Sequence, residues 1–375
     1  MSTSPDLATA PVLPDYAGPN VRGLIPALLA PTHAAMPGWI PAPVAEARQV
    51  VLLVLDGLGW EQLQQRLALA PTLAGMTGRA ITTVAPSTTA TALTSITTGL
   101  TPGEHGLIGY RIDVAGEVLN VLRWSTPSVH DARRAIEPQR LQPFAPFLGE
   151  DPPVVSKIEL EHSGFSEAHL RGMRPSGWRV MSNLPVLVRR QLAAGERFVY
   201  AYYEGVDKTA HEHGFGEFYD AEVRAADRLV ADIAGIHPSG AALLGTADHG
   251  QVDVGPRIVQ PARELLTLTK SQSGEGRFRW LHAKRGATAD LLATAGDLYG
   301  DVAWVISRNQ AIEEGWFGPV VSPPVAARLG DIALVARDPI SFHDPADSGP
   351  FQLVCRHGSL TSAEMLVPLL AAWAD

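Results

Sequence analysis

Acidic and histidine residues follow four short apolar segments of the sequence, and these residue types are those of metal ligands. The segments run into VLDG, YYEGVDKTAHEHG, GTADHGQVD and FQLVCRHGS. The acids and histidines in these stretches are Asp56, Glu204, Asp207, His211, His213, Asp248, His249, Asp253 and His357. Carboxylate oxygen and neutral imidazole nitrogen both suit zinc. Three aspartates and three histidines would be enough for two ions with open positions, the arrangement that serves displacement at phosphorus.

Each of these motifs also has an ordinary structural explanation. Asp56 before a glycine is typical of a turn. Asp207 and His211, at i and i+4, fit a pair on a helix surface, and His357 fits a core histidine. If there were no shared site, all of these structural explanations would have to be true at once. It would then be a coincidence that every one of the motifs follows a predicted strand. Because ligands of open α/β sheets bind beyond the carboxyl ends of the strands, one shared site is the better interpretation.

A threonine-rich stretch, VAPSTTATALTSITTG at residues 84–99, follows the strand-like residues 80–84 where a helix should begin. Six of its sixteen residues are threonine, although threonine is a mediocre helix former. Ser87, Thr88 or Thr89 would serve as a helix N-cap. A hydroxyl at a helix N-terminus beside metal ions would also be an activated nucleophile. We therefore expect one of the threonines to attack the substrate, and the others to cap and solvate the turn.

The elements that must position these residues form an α/β pattern, because apolar runs alternate with amphipathic segments. Continuous apolar runs predict strands covered on both faces at residues 49–55, 197–203 and 241–245. One apolar stripe predicts a helix at residues 217–236, and a final helix is predicted at residues 362–373. The predicted fold is α/β, with a mainly parallel central sheet and helices on both faces.

The sequence pattern changes between residues 255 and 350, where strand-like segments accompany a single predicted helix. This pattern predicts a small α+β unit inserted before the chain returns to the sheet. It contains RFRWLHAK, VAWVISR, DIALVAR and a helix near residues 288–298. No flexible linker marks its edges, so we expect an insertion and not an independent domain. Residues 1–20 are expected to be a poorly ordered leader, and residues 21–375 a single catalytic domain.

The bulk composition is that of a soluble globular protein, since 46% of the 375 residues are apolar and 18% are charged. A formal net charge of −9 argues against nucleic-acid binding, which needs a basic face. The single cysteine, Cys355, excludes an intramolecular disulfide and fits a reducing compartment. Residues 1–18 have neither the basic nor the apolar region of a signal peptide, so we do not expect one, and no apolar run reaches the length of a membrane span. We expect a cytoplasmic protein without a membrane partner.

The ordered set of motifs resembles the alkaline phosphatase superfamily, and within it the type I phosphodiesterase/nucleotide pyrophosphatase family. The resemblance spans about residues 49–370 and rests on VLDG, APSTTATALTSITTGLTPGEHGL, VDKTAHEHG, ADHG and RHGS. In that family the nucleophilic threonine lies three residues after a proline and ten before a glycine. Pro86 and Gly99 therefore single out Thr89 in preference to Thr88.

The resemblance also implies a cofactor of two zinc ions, or other divalent metals, with the Thr89 oxygen between them. One ion would be bound by Asp207, His211 and His357. The other would be bound by Asp56, Asp248 and His249. His213 would have a supporting role, and the loop of His105 and Gly106 would be a structural turn.

One departure from the family concerns the position 21 residues after Thr89, where an asparagine usually binds a phosphate oxygen. Here that position is Tyr110, followed by Arg111. Either side chain is a candidate substitute. If Arg111 points away from the phosphate, the site should prefer diesters and pyrophosphates over monoesters. Lys157, in SKIELEHSGFSEAHL, is a further candidate substrate contact, and the alternative for this segment is an ordinary loop.

The resemblance implies a di-zinc hydrolase of phosphodiester or nucleotide pyrophosphate bonds, acting through a covalent phospho-threonine at Thr89. Its partner would be a small phosphorylated substrate, with nucleotides among the candidates. A phosphomonoesterase or phosphonate C–P hydrolase of the same superfamily is the alternative. A catalytically inactive homologue that binds a ligand is a third reading, which a complete ligand set disfavours.

Overall fold

The computed structural model describes residues 10–30, 36–236, 238–347 and 352–373. Its strands, in chain order, are β1 (Gln49–Leu55), β2 (Thr77–Thr82), β3 (Arg111–Val114), β4 (Glu117–Asn120), β5 (Pro153–Val155), β6 (Arg174–Pro175), β7 (Phe198–Tyr203), β8 (Ala241–Thr246), β9 (Val252–Asp253), β10 (Ile258–Val259), β11 (Thr269–Gly274), β12 (Phe278–Ala283), β13 (Ala303–Ser307), β14 (Ile332–Ala336), β15 (Ser341–Phe342), β16 (Cys355–Arg356) and β17 (Leu366–Trp373).

The helices over the same ranges are α1 (Leu24–Leu28), α2 (Ala42–Ala45), α3 (Trp60–Gln64), α4 (Pro71–Gly75), α5 (Thr89–Thr98), α6 (Pro102–His105), α7 (Pro138–Leu141), α8 (Gly164–His169), α9 (Asn183–Ala193), α10 (Gly205–His213), α11 (Glu217–Ala234), α12 (Arg263–Leu268), α13 (Thr288–Tyr299), α14 (Arg308–Glu313), α15 (Pro323–Ala326) and α16 (Ser362–Met365). Short 3₁₀ turns lie at Val21–Gly23, Leu67–Leu69, Pro146–Gly149 and Ile158–Leu160. None of the helices in the described ranges is both long and apolar enough to cross a membrane.

A seven-stranded sheet in the order β2-β17-β8-β1-β7-β5-β6 forms the centre of the molecule. Its strands are parallel except β17, which runs antiparallel to both β2 and β8. Every residue of β7 and β8, and all but the first of β1, is buried. Because successive side chains of a strand point to opposite faces, both faces of the sheet must be covered. The predicted α/β sheet is therefore confirmed.

The predicted strands and the long helix lie within a few residues of their observed positions. The strand predicted at residues 80–84 is β2, which begins and ends slightly earlier. The stripe on α11 packs as expected, and its members Tyr219, Val223, Ala226, Val230 and Ile233 are all buried. Helix α11 ends at Ala234, two residues before the predicted end.

The prediction of a final helix at residues 362–373 is wrong. Only α16 is helical there, and the rest is β17, which pairs Leu366 with Thr82 on one side and Leu369 with Thr246 on the other. Pro368, which lacks an N–H and clashes with the preceding turn of a helix, opposes the helical alternative. A continuous apolar run does not distinguish a buried strand from a buried helix by its periodicity.

The segment predicted as an insertion contains a four-stranded antiparallel sheet in the order β11-β12-β14-β13. Residues of β14 alternate between two cores. Ala333 and Val335 join the main core, whereas Ile332, Leu334 and Ala336 join a smaller core built with α12 and α13. The insertion is thus packed against the main body through one face of its sheet.

Part of the predicted leader is packed against the main body. Residues 1–9 lie outside the described residues. In residues 10–20, the backbone N–H of Val12 donates to the Leu360 carbonyl over 2.8 Å, and the hydroxyl of Tyr16 donates to the Trp316 carbonyl over 2.9 Å. Asn20 is fully buried. This portion is therefore not a loose extension.

Candidate active site

Asp56 is the first residue after β1, and its side chain is 2% exposed. One carboxylate oxygen accepts a hydrogen bond from the Tyr202 hydroxyl. The other, Oδ1, has no hydrogen-bond partner among the described residues. Gly57 adopts a φ of +73°, and a Cβ there would lie 2.8 Å from Asp207 Cβ. A glycine at this turn therefore lets Asp56 lie close to α10.

The strands on either side of β1 deliver further carboxylates to the same edge of the sheet. Asp207 lies in the first turn of α10, directly after β7. Asp248 follows β8, and its Oδ1 accepts the backbone N–H groups of Gly57 and His249, each over 3.1 Å. Its Oδ2 has no partner in the described part of the chain. Because β1 pairs in parallel with both β7 and β8, their carboxyl ends meet here.

The three histidines predicted as ligands all have their rings oriented by a hydrogen bond to the backbone. Each ring hydrogen-bonds through Nδ1 to a backbone carbonyl: His211 to Cys355 at 2.7 Å, His249 to Gly250 at 3.1 Å, and His357 to Ser87 at 3.0 Å. A carbonyl can only accept, so Nδ1 carries the proton and Nε2 keeps its lone pair. A hydrogen bond to the other ring nitrogen commonly fixes a metal-binding histidine in this manner.

The free nitrogens of these rings face the carboxylates. His249 Nε2 lies 3.4 Å from Asp56 Oδ1 and 3.4 Å from Asp248 Oδ2. His211 Nε2 lies 3.3 Å from Asp207 Oδ1, and His357 Nε2 lies 3.9 Å from the same oxygen. A lone pair and a carboxylate oxygen are both acceptors, so a cation or a proton must lie between them. Buried, unpartnered oxygens and matched nitrogens are what a metal ion would satisfy.

The ligand atoms fall into two overlapping groups, in each of which they lie within 4.8 Å of one another: Asp56, Asp248 and His249, and Asp207, His249 and His357. His211 adjoins the second group through Asp207. The rings of His249 and His357 stack with their centroids 3.7 Å apart. The six predicted ligands therefore converge, and their donor set fits the metal-dependent chemistry inferred from the sequence.

Electrostatics make this cluster unfavourable without a cation. Burial, followed by repulsion from Asp248 and Asp207, raises the pKa of Asp56. Burial is also the main cause that raises the pKa of Asp248. Burial and the neighbouring His249 and His211 lower the pKa of His357. Among the described residues, no lysine or arginine forms an ion pair with the three carboxylates.

Thr89 is the first residue of α5, and its Oγ1 lies 3.0 Å from His249 Nε2. Because Nε2 is the acceptor nitrogen of that ring, the Thr89 hydroxyl donates to it. Thr88 occupies the N-cap position, yet its side chain makes no capping hydrogen bond. The hydroxyl of Thr89 therefore lies at the cluster of candidate metal ligands and at the positive end of a helix.

Three of the remaining threonines of α5 have a different role from the one predicted. The helix is buried along its whole length, and the hydroxyls of Thr94, Thr97 and Thr98 donate to carbonyls one turn earlier, over 2.6–3.0 Å. These side chains satisfy themselves within the helix, where a solvating or capping role had been expected. These three threonines thus supply small side chains whose hydroxyls are satisfied within the helix, whereas the buried hydroxyl of Thr91 has no hydrogen-bond partner among the described residues.

The predicted substrate contacts divide into two that line the cavities beside Thr89 and one that does not. Lys157 and Tyr110 line cavities that also contain Thr89. Lys157 Nζ lies 2.9 Å from Glu204 Oε1. Arg111 instead turns away, with Nη1 2.5 Å from Asp344 Oδ2 and its side chain 5% exposed. It is not brought to either cavity.

Two other histidines named from the sequence lie outside the cluster. His105 is buried, its Nε2 lies 2.8 Å from Ser95 Oγ, and its Nδ1 accepts the backbone N–H of Leu107 over 3.1 Å. This is the expected structural turn. His213 stacks on Phe218 with the ring centroids 4.2 Å apart. No contact in the described structure links it to the ligand cluster.

Sequence reasoning missed two charged residues beside the site, Glu275 and Arg356. Both line a cavity of about 320 Å³ that also contains Thr88, Thr89 and His357. Arg356 directly precedes His357 in the RHGS motif, which was a usable signal. Glu275 lies in the insertion and carried no local signal.

Comparison with known sequence families matches residues 50–359 to the family described as type I phosphodiesterase / nucleotide pyrophosphatase. Among curated proteins, no relative matches. Solved structures show the same fold at low sequence identity. Murine ectonucleotide pyrophosphatase / phosphodiesterase 5 has a TM-score of 0.66 at 14% identity, with 87% of this chain and 88% of that one covered.

Two further solved structures share this fold. An inactive variant of the same murine protein, in complex with AMP, has a TM-score of 0.65 at 14% identity, with 87% of this chain and 88% of that chain covered. Phosphonoacetate hydrolase from Sinorhizobium meliloti 1021, in complex with phosphonoformate, has a TM-score of 0.63 at 17% identity and covers 87% and 90%. These likenesses establish the alkaline phosphatase-like fold. With most of its length matched, the chain belongs to the type I phosphodiesterase/nucleotide pyrophosphatase family of the alkaline phosphatase superfamily.

Proposed function

We propose that the protein is a di-zinc hydrolase of phosphodiester or nucleotide pyrophosphate bonds that forms a covalent intermediate on Thr89. The observation that carries the proposal is the convergence of three histidine lone pairs and three carboxylates beside the Thr89 hydroxyl. Asp207, His211 and His357 would hold one ion, and Asp56, Asp248 and His249 the other. When bound, the zinc ions would neutralise the carboxylates and stabilise the negative charge that develops at phosphorus.

The chain's own groups define the two chemical steps. In the first, the Thr89 oxygen bonds to phosphorus while the bond from phosphorus to the leaving oxygen breaks. The hydroxyl proton passes to water, and the electron pair of the broken bond stays on the leaving oxygen. In the second, water attacks the phosphorus, the bond to Thr89 breaks, and Thr89 regains a proton. The N-terminus of α5 favours the negative phosphoryl group throughout.

Two features favour diesters and pyrophosphates over monoesters. A dianionic monoester would benefit from a guanidinium group near the position of the family's asparagine, and Arg111, which follows that position, is committed to Asp344. Two cavities, of about 550 and 320 Å³, also adjoin Thr89. A phosphorus atom held there has room for two substituents. The AMP complex of the murine relative supports a nucleotide as one of them.

A turnover panel with purified, zinc-loaded protein tests this function. We expect bis-p-nitrophenyl phosphate and nucleotide pyrophosphates such as ATP, NAD and UDP-sugars to be hydrolysed with higher kcat/KM than p-nitrophenyl phosphate and phosphonoacetate. Elemental analysis should find about two zinc ions per chain, since six ligands converge. A preference for the monoester or the phosphonate, or active enzyme without a transition metal, would refute the proposal.

A further inference from the structure

The two cavities beside Thr89 share a wall and differ in the rest of their lining. Thr89, Asp207, His211, Leu122 and Leu353 line both. The larger one continues past Phe165 and His169 of α8 and past the Lys157–Glu204 ion pair, whereas the smaller continues past a different set of charged and polar residues. Those residues are Tyr110, Arg123, Glu275, Asp347 and Arg356. A substrate attacked by Thr89 can therefore place one substituent in each cavity.

Arg356 brings an uncommitted positive charge to the smaller cavity. It forms no ion pair with another described residue, and its Nε is buried without a hydrogen-bond partner among them. A Cβ on Gly276 would lie 2.9 Å from Arg356 Nη1, so the guanidinium rests against the bare backbone of that glycine. A buried guanidinium donor without an acceptor is unfavourable unless a ligand supplies the missing hydrogen-bond acceptor.

Glu275 lines the same cavity and is 6% exposed. The Thr88 hydroxyl and the Tyr110 backbone lie close to its carboxyl group, but neither of its oxygens accepts a hydrogen bond of normal geometry from the described residues. Its side chain lies against Gly358, where a Cβ would come within 2.6 Å of Glu275 Cγ. Burial raises the pKa of Glu275 to about 8. Below that pH the carboxyl group is protonated, so it can donate to an anionic ligand without repelling it.

The third acidic residue of the cavity, Asp347, is partly neutralised. Its Oδ2 lies 3.4 Å from Arg279 Nη2, and Arg279 also contacts Asp344. With Arg356 unpaired and Arg123 exposed at the rim, the lining favours an anion. A plain aryl or alkyl leaving group would leave the buried Nε donor of Arg356 unsatisfied.

We propose that the smaller cavity is the subsite for the leaving half of the substrate, and that Arg356 and Glu275 select a leaving group that carries phosphate. This inference rests on the proposed function and narrows it to pyrophosphate bonds. Departure of such a group adds negative charge to its bridging oxygen and phosphate. Arg356 stabilises that charge with charge-assisted hydrogen bonds.

The test compares two substrates that share a thymidylyl half and differ in what leaves. The p-nitrophenyl ester of thymidine 5′-monophosphate releases nitrophenolate, and thymidine 5′-triphosphate releases pyrophosphate. In Arg356→Gln we expect kcat/KM to fall roughly 10- to 100-fold for the triphosphate, as for a lost charged hydrogen bond. For the aryl ester we expect a change of less than about threefold, because that leaving group makes no such bond.

Matched variants separate this effect from general damage. Arg79→Gln removes an exposed arginine on β2 and should leave both substrates unaffected. Glu275→Gln, which keeps a hydrogen-bond donor, should retain the selectivity, whereas Glu275→Leu should reduce it. Melting temperature and zinc content are measured for each variant, since Arg356 adjoins His357. If Arg356→Gln loses zinc, the comparison is made with Arg356→Lys instead. That variant should show a smaller loss of the preference for the triphosphate over the aryl ester.

The outcomes distinguish this subsite from the function on which it rests. Equal losses on both substrates, or no loss on the triphosphate, would overturn the subsite while the hydrolase remains. If wild type turns over neither substrate, or if Thr89→Ala remains active on both, the proposed function fails and the subsite fails with it.

Discussion

Arg277 and Glu364 form a doubly hydrogen-bonded ion pair that is fully buried, with Nε 2.7 Å from Oε1 and Nη2 2.8 Å from Oε2. Arg277 precedes β12 in the insertion, and Glu364 lies in α16 of the main body. Glu364 also accepts the backbone N–H of Ser359 over 2.9 Å, and its carbonyl accepts the N–H of Gly250. The pair therefore joins the insertion to the loops that carry His249 and His357.

Arg277→Ala should destabilise the protein by about 3–5 kcal/mol, because it leaves the Glu364 carboxylate buried without its partner. Urea unfolding measures this loss. As a control, Arg174→Ala breaks an exposed pair with Glu196, and we expect it to cost less than about 1 kcal/mol. A loss for Arg277→Ala as small as for the control would show that the buried pair does not hold the insertion.

Asp207→Ala and His357→Ala should weaken the binding of the same zinc ion. The two residues lie 150 positions apart in the chain, yet His357 Nε2 is 3.9 Å from Asp207 Oδ1. Competition with a chromophoric chelator gives the zinc affinity. Loss of either ligand disrupts one shared unit, so the double variant should bind only slightly less tightly than the weaker single variant. Losses of binding free energy that simply add would show that the two residues bind no common ion.

His105 should make the protein less stable in acid. An unfolded histidine has a pKa near 6.5, whereas burial, with Arg328 nearby, lowers the pKa of His105 to about 3. Between these values the unfolded chain binds a proton that the folded chain does not. The contribution is thus complete above pH 6.5 and is lost as the pH falls toward 3. Between pH 7.5 and pH 5, the loss of unfolding free energy caused by His105 amounts to about 2 kcal/mol.

The matched variant is His105→Gln, which removes the titrating group. Unfolding free energies of both proteins at pH 7.5 and 5, with a chelator present, isolate the effect from metal loss. We expect the wild type to lose about 2 kcal/mol more than the variant between these pH values. The same pH dependence in both proteins would contradict the assignment.

The ligand cluster was predictable because strand ends coincide in space. Asp56, Asp207 and Asp248 each follow a strand whose apolar run is evident in the sequence, and parallel pairing brings those ends to one edge. His357 lies on no strand of the central sheet. Its position follows from the contact of its ring with Ser87, which local sequence does not reveal. The apolar segment before it made His357 a candidate ligand, and its assignment to one ion with Asp207 and His211 came from the family resemblance.

Features set by distant contacts were not predictable from local pattern. Strand β17 was taken for a helix because its partner β2 lies almost 300 residues earlier in the chain. Arg111 has the chemistry of a phosphate ligand, and only its pairing with Asp344, 233 residues away, removes it from the site. The raised pKa of Glu275 comes from its burial, and its side chain is packed against Gly358. No neighbouring residue in the sequence indicates this contact.

The central claim is that Thr89 Oγ1 attacks phosphorus. Thr89→Ala should lower kcat roughly a thousandfold or more while the zinc content and melting temperature stay close to wild type. Thr88→Ala, which alters the neighbouring hydroxyl, should have a mild effect. Thr89→Ser should keep partial activity because a hydroxyl remains.

Acid quenching during turnover, followed by tandem mass spectrometry of the peptide that contains residues 84–99, tests the claim most directly. The account predicts a phosphoryl or nucleotidyl adduct on Thr89 that is absent from Thr89→Ala. An adduct on Thr88 instead, or undiminished turnover by Thr89→Ala, would contradict it.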